Sequence, residues 1–387
     1  MVLTLLAVFV GALAIFTGTV HHFYLSPVIQ ILGIGRVVQS IGNDRCTTVP
    51  ELQACEKIIL HQPSGVLYLA CSTQDSRSRW LPAGERFNLT GRSTTDFVAT
   101  YDPTTKVVTR LQTTDFQSAR GLSLHGMDVV PSSTDPKRLL VYLVNHRAPL
   151  DQDPYKVGAD SVIEIFETTI ASRKLVHRQT IEDPVIIAPN DVVGSSDGQS
   201  FYFTNDHGSK IRFARSYIEI FSPASSVGYC HVNDGCKFAI TKMFSNNGIV
   251  RADNDTFYVA NSFVGKLNVL EKGNDNSLVL TDTIKTDQGL DNVSLDADGA
   301  IWAVGFPRLY TLFKHIGNPG LLSPSSVLKF TANRGPGSFY GEKYIIEKVF
   351  EDDGALASGA TSAVYDTRRR VLYLHGLASP WLTICKL

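Results

Sequence analysis

From about residue 40 onward, apolar and polar positions fall into short runs with a period of two, each introduced by a turn of Gly, Asp, Asn or Pro. That period marks half-buried strands, and the turns mark hairpins. Six segments of one kind stand out. They are PSGVLYLACS around Gly65, STDPKRLLVYLVNH around Lys137, SSDGQSFYFTND around Gly198, RADNDTFYVANS around Asn254, DADGAIWAVG around Gly299 and YDTRRRVLYLHG around Arg368. They recur every roughly 45 to 70 residues, room for about four strands apiece. A four-stranded sheet cannot bury both faces alone, so units of this size pack radially around an axis. The pattern predicts an all-β chain in which residues 41–387 form a six-bladed β-propeller.

The first forty residues break this pattern. Residues 1–20 carry no charged side chain and read as either a cleaved signal peptide or a retained membrane anchor. Residues 21–40 connect that segment to the propeller, with Tyr24 to Gln39 expected as an amphipathic helix against membrane or core. The body of the chain is therefore expected in the secretory pathway, secreted or anchored on the non-cytosolic side. Sequons at Asn88, Asn254 and Asn292 agree, with Asn88 and Asn254 expected at turns and open to glycosylation. Six cysteines suit the same compartment. Cys230 and Cys236 bracket a short polar loop that a disulfide could close. Cys46 and Cys385 stand at the two ends of the body, where a bridge would close the ring of blades. Cys55 and Cys71 are left over and read as buried thiols.

Composition narrows the partners. At 43% hydrophobic and 19% charged, with a net charge of −1 and no basic run, the chain is an ordinary globular protein that offers nothing to track phosphates. Nucleic acid is excluded as a partner.

Chemistry-bearing residues recur just upstream of the hairpins. They are Glu56, His125, Asn190 with Asp191, Asn247, and Asp291 with Asn292. In a propeller, matched positions on the innermost strands point at the central channel. Carboxylates and carboxamides converging from different blades make a hard-oxygen cage of the kind Ca²⁺ takes, whereas zinc would want His and Cys. No linear EF-hand loop is present, so such a site must be assembled from distant segments. His125 and His146 flank one hairpin and could form a dyad in which the second raises the basicity of the first. There is no G-x-S-x-G elbow, H-E-x-x-H or Walker A sequence, which leaves water as the attacker if the protein is a hydrolase.

Several of these segments, taken in order, resemble the paraoxonase/arylesterase family. They are the LHG around His125, LVNH at Leu143 to His146, PNDVVG around Asn190 and Asp191, and TNDH at Thr204 to His207. Further along come NNGI at Asn246 to Ile249, LDNVSLD at Leu290 to Asp296 and the terminal ICKL. The resemblance implies a six-bladed propeller with a catalytic calcium and a second, structural one. By position it implies Glu56, Asn190, Asn247, Asp291 and Asn292 as catalytic-calcium ligands and Asp191 as a structural ligand. It also implies His125 and His146 as a dyad and Cys46–Cys385 as a ring-closing disulfide. The family hydrolyses lactones and, more promiscuously, aryl esters and organophosphate triesters.

Two departures matter. Lys57 stands where the family commonly has Asp, so an ammonium could neutralise Asp191 and replace the second ion. Phe306 stands where relatives of mammalian type have His, which changes the rim of the site. The expected reaction is calcium-assisted hydrolysis of a small lactone or ester, with either His125, assisted by His146, or Asp291 as the base. Two other readings stay open: a sugar-lactonase or strictosidine-synthase-like propeller, and a non-catalytic binding propeller pinned by calcium. Association with a membrane would run through residues 1–20.

Overall fold

The computed structural model describes residues 9, 16–19, 21–211, 222–335, 338, 341 and 343–387. The expected signal or anchor at residues 1–20 lies largely outside the described residues. Among the described residues no helix is long and apolar enough to cross a membrane.

Six antiparallel sheets form the body, and each begins with one of the predicted hairpins. The innermost strands are Cys55–His61, Leu124–Pro131, Pro189–Gly194, Asn246–Arg251, Gly289–Leu295 and Ser362–Asp366, in blades 1 to 6. Each of the six touches the next, and the last touches the first, so they close a ring around the axis. Five blades have four strands. Blade 2 has a fifth, Gln112–Thr114, which pairs parallel with the outer strand Lys174–Ile181.

The core lies between blades rather than within one sheet. Leu67, Leu69 and Tyr101 of blade 1 pack on Val364, Val371 and Tyr373 of blade 6, and Trp302 and Val304 of blade 5 pack on Leu372 and Leu374. Alternating burial puts one face of each strand into each interface, which is why the strands read as nearly continuous apolar runs.

Blade 6 is completed from the other end of the chain. Cys46–Val49 pairs antiparallel with Leu382–Lys386 as its outermost strand. Cys46 faces Cys385 in that register, and the two form a disulfide across 339 residues of sequence. Cys230 and Cys236, also facing positions, are bridged as expected. The expectation of two buried thiols is corrected: Cys55 and Cys71 form a third disulfide, and no cysteine is free. The cause is register. The two cysteines face each other across the inner hairpin of blade 1, which the turn at Gly65 folds back on itself.

Ahead of the propeller, Ser26–Leu32 forms a short helix that ends at Gly33 in a left-handed conformation (φ 69°). Gly33 lies so close to the Pro307 carbonyl that any Cβ would clash. Ile31 is buried with Leu309, Leu312 and Ile316 of a second helix, Leu309–Gly317, which follows the second strand of blade 5. The connecting segment therefore docks against the propeller body.

Loop-closure entropy gives the test of this ring. A loop of 339 residues removes about 6 kcal/mol of denatured-state entropy, against about 2 kcal/mol for a loop of 6. Equilibrium unfolding in urea should therefore show a larger loss of stability for C46S/C385S than for C230S/C236S.

Candidate active site

The inner strands carry their site residues at irregularities. In blade 1 the ladder runs Cys55–Cys71 and then Lys57–Ala70, which leaves Glu56 as the extra residue of a bulge. Blade 2 slips across His125 and Gly126, and blade 3 across Asn190 and Asp191. Blade 4 slips across Asn247 and Gly248, and blade 5 across Asp291 and Asn292. A bulge aims successive side chains away from the strict alternation of the pleat, and here it turns them to the axis. Gly126 and Gly248 belong to the same device. A Cβ on Gly126 would meet the Asn190 carbonyl at 2.4 Å, and one on Gly248 would meet the Asn292 Cα at 2.5 Å.

The axial residues form two tiers. In the rear tier, the buried Lys57 ammonium lies 2.5 Å from Asp191 Oδ2 and donates to Asn292 Oδ1 at 3.1 Å. Asp191 Oδ2 also accepts from the Ile249 backbone at 3.0 Å. This cluster ties blades 1, 3, 4 and 5 together. Behind it a wide cavity lined by Lys57, Asp128, Val192, Ile249 and Val293 opens to the opposite face.

The front tier is the floor of a cleft of about 620 Å³ that opens to solvent. Glu56, His125, Asn190, Asn247 and Asp291 line it together with Leu81, Phe263, Phe306, Leu309, Leu312 and Phe313. Glu56 Oε2 accepts from Thr361 at 2.7 Å, and Oε1 accepts from Asn292 Nδ2 at 3.0 Å. Asn247 Nδ2 donates to Ser262, while Asn190 Nδ2 lies 3.4 Å from His125 Nε2. Both carboxamides thereby spend their nitrogens on the protein. Asn190 Oδ1 and Asn247 Oδ1 are buried with no hydrogen-bond partner.

Burial pushes the Glu56 carboxyl up to about 7, against the pull of the Thr361 hydroxyl and the Arg77 charge. Burial and the neighbouring Glu56 charge hold Asp291 well above the usual carboxylate range. His125 is held well below the ordinary imidazole value, first by burial and then by His146, Arg77 and Lys57. Its ring centroid is 5.2 Å from that of His146, whose Nδ1 is 2.9 Å from Ser161 Oγ.

This donor set fits a hard cation. Two carboxylates and two unsatisfied carboxamide oxygens share one floor, all oxygen and no sulfur. Among the described residues no three His, Cys, Asp or Glu side chains cluster as a site, so half the donors have to be amides. Asn292 gives its oxygen to Lys57 and its nitrogen to Glu56, so it buttresses the floor rather than offering oxygen to it. Asp191, expected as a structural ligand, is engaged by Lys57. Asn88 and Asn254 are exposed, and Asn292 is buried.

Two residues here escaped the sequence reading. Thr361 holds the equivalent place in blade 6, just upstream of the Arg368 hairpin, but its side chain is neither acid nor amide. Arg77 sits on a short helix that no strand pattern announces.

Comparison with known proteins adds the lineage. Residues 102–377 match the sequence profile of the Arylesterase family. The chain is 26% identical over 262 residues to human "Serum paraoxonase/arylesterase 2", covering 65% of this chain and 68% of that protein. It is 29% identical over 226 residues to "Serum paraoxonase/lactonase 3" of Oryctolagus cuniculus, covering 58% of each. Among solved structures, the PQQ-bound aldose sugar dehydrogenase of Streptomyces coelicolor superposes with a TM-score of 0.51 at 11% identity, over 90% of this chain and 98% of that one. At that identity the likeness concerns the fold alone.

Two outcomes test the axial charges. Lys57→Met strands a buried carboxylate and should cost about 3–5 kcal/mol in urea unfolding, most of it recovered in K57M/D191N. In chelating buffer, Glu56 and Asp291 keep protons that the unfolded chain has already released. Their contribution to stability should therefore fall as pH rises from about 4.5, while the buried histidines, held below about 6.5, push the other way until the unfolded chain's imidazoles have lost their protons. Melting curves between about pH 5 and 8.5 should show the wild type losing stability with rising pH relative to Asp291→Asn, because the histidines contribute equally to both.

Proposed function

Because the chain belongs to the arylesterase family, we propose that it is a calcium-dependent hydrolase of lactones and aryl esters. The observation that carries the reading is the floor of the cleft. Asn190 and Asn247 hold unsatisfied oxygens there beside two carboxylates, below apolar walls and within reach of a buried histidine. Glu56, Asn190, Asn247 and Asp291 would hold the ion, with Asn292 bracing Glu56 from behind. A calcium ion there would polarise the ester carbonyl and stabilise negative charge on its oxygen.

The chain's own residues account for the rest of the reaction. Phe263, Phe306, Leu309 and Phe313 take the carbon body of the substrate and exclude bulk water. His125 is neutral at pH 7 because burial, the neighbouring His146 and the Arg77 and Lys57 charges disfavour its imidazolium, so a ring nitrogen is free to accept a proton. Its Nε2 faces the floor, 3.9 Å from Glu56 Oε1. Water adds to the carbonyl carbon as His125 takes its proton, and the ring C–O bond then breaks as His125 returns that proton to the leaving oxygen, giving a hydroxy acid and a neutral His125. Asp291, on the same floor, is the alternative proton acceptor. The Lys57–Asp191 pair already fills the rear tier with a cation, which supports one calcium per chain rather than two.

Three disulfides and the exposed sequons at Asn88 and Asn254 support a secretory-pathway location.

The test is proton release from γ- and δ-lactones and from phenyl acetate by the intact chain. Chelation should abolish turnover, and calcium should restore it together with the melting temperature. Glu56→Gln should abolish turnover. His125→Gln should lower it about 10²- to 10⁴-fold and remove the acid limb of the kcat/KM profile. An acid limb that survives in H125Q and disappears in D291N would assign the base to Asp291. A folded, calcium-loaded chain that turns over none of the panel would overturn the reading.

A further inference from the structure

The site residues of blades 1 to 4 share one local arrangement, and blade 1 builds it with different chemistry. In each blade, the ladder pair just ahead of the site residue joins the inner strand to the end of the second strand. The pairs are Leu124 with Asn145 ahead of His125, Pro189 with Asn205 ahead of Asn190, and Asn246 with Asn261 ahead of Asn247. Ahead of Glu56 the pair is Cys55 with Cys71.

In blades 2 to 4 the asparagine of the second strand fastens the backbone that enters the inner strand. Asn145 Oδ1 accepts from the Ser123 amide at 2.9 Å, and Asn205 Oδ1 accepts from the Ala188 amide at 3.0 Å. Asn261 Nδ2 donates to the Phe244 carbonyl at 2.6 Å. All three asparagines are fully buried. Blade 1 has a cysteine at that place, and its fastening is the covalent bond to Cys55.

A fastening matters most beside a bulge, where the extra residue has no ladder partner. Cys55 opens its strand, so Cys55–Cys71 is the last ladder pair beyond Glu56. The Glu56 carbonyl is met by side chains of other blades, Thr361 at 3.3 Å and Asn292 at 3.4 Å. On the other side of Cys55, Ala54 is left-handed (φ 51°), a conformation that a residue with a Cβ adopts at a cost. The entering chain is thus strained before Cys55 and bulged after it. The far end of the bridge is firm. Cys71 also pairs with Phe97, and Ser72 donates its amide to the Ala54 carbonyl at 3.1 Å and its hydroxyl to the buried Asp96 at 2.7 Å.

We propose that the Cys55–Cys71 disulfide is the positioning element for Glu56, holding its carboxylate on the floor where calcium would bind. The inference rests on the calcium-hydrolase reading and adds to it the device that pre-organises one ligand. Two apolar side chains would fill the same core between blades 1 and 6. They would not fix the pair ahead of the bulge. Without the bridge the strand end frays, and the ion itself has to order Glu56, which weakens its binding.

The test compares the intact wild type with C55A/C71A and with C230A/C236A, which removes a bridge from the outer hairpin of blade 3. Calcium binding is read by calorimetry, and turnover is read with phenyl acetate. Both variants should melt below the wild type. C55A/C71A should bind calcium about 10- to 100-fold more weakly. C230A/C236A should keep wild-type affinity, and excess calcium should return turnover to C55A/C71A. C55A/C71N, which supplies the amide that blades 2 to 4 use, should recover part of the lost affinity. If C55A/C71A does not fold, C55A/C71V keeps the buried volume and carries the same expectation. Wild-type calcium affinity in the folded variant, or equal weakening in C230A/C236A, would overturn the proposal and leave the hydrolase reading standing. Turnover that stays lost in excess calcium would also overturn it, because the bridge would then act on something other than the hold of Glu56 on the ion. Failure of the hydrolase reading has a different signature: the wild type consumes no ester, while the calorimetry still reports on the bridge.

Discussion

A buried ammonium has to be paired, and the axis of this propeller is organised around that requirement. Lys57 reaches Asp191 from across the channel and donates to Asn292, while Asp191 also receives the Ile249 amide. Four blades meet at that one cluster. It closes the middle of the channel, and so it separates the front cleft from the rear cavity. The consequences run forward from there. Asn292, pinned on its oxygen by Lys57, turns its amide nitrogen to Glu56 and Asp291, and Glu56 is in turn fixed by Thr361. The floor of the cleft is therefore positioned by a charge pair that does not itself face the solvent.

Most of this architecture was legible in the chain because strands and turns leave local marks. All six hairpins fall at the predicted turns, and five of the six site positions lie just upstream of them. The reason lies in the bulges. Five of the six inner strands carry a bulge ahead of the turn, and each bulge turns its site residue toward the axis, so unlike residues such as Glu56, His125 and Asn247 line one floor. What escaped depends on contacts that no local pattern encodes. Cys55 and Cys71 read as separate buried thiols until the register of their hairpin sets them face to face. Thr361 was invisible because the search was for acids and amides, although it sits where the repeat would put it. Arg77 belongs to an insertion in blade 1, outside the repeat altogether. Lys57 was visible as a departure from the family pattern, and its partner Asp191 was named with it, because both fall on positions that the resemblance supplies.

The chemistry of the cleft comes from a contrast between its floor and its walls. The floor gathers two acids, two amides and an imidazole where burial disfavours every charged form, which raises Glu56 and Asp291 and lowers His125. Such a floor is poised to change its charge when a cation or a substrate arrives. The walls carry Phe263, Phe306 and the helix Leu309–Gly317, whose buried residues also hold Ile31 of the connecting segment. The same helix thus links the segment ahead of the propeller to the wall of the site.

The strand Cys46–Val49 has a bearing on how the molecule is made. It is synthesised before any blade is complete, yet its strand partner among the described residues, Leu382–Lys386, is made only after the inner strands of all six blades. Throughout translation the first-made strand must wait unpaired while five blades accumulate behind it, and the sixth cannot be assembled until its last strand is released. Ring closure therefore waits for Leu382–Lys386, about 330 residues after its partner. A chain broken off before Leu382 would lose far more than one strand, because Cys46–Val49 and Val371–His375 of blade 6 would both be left with raw edges.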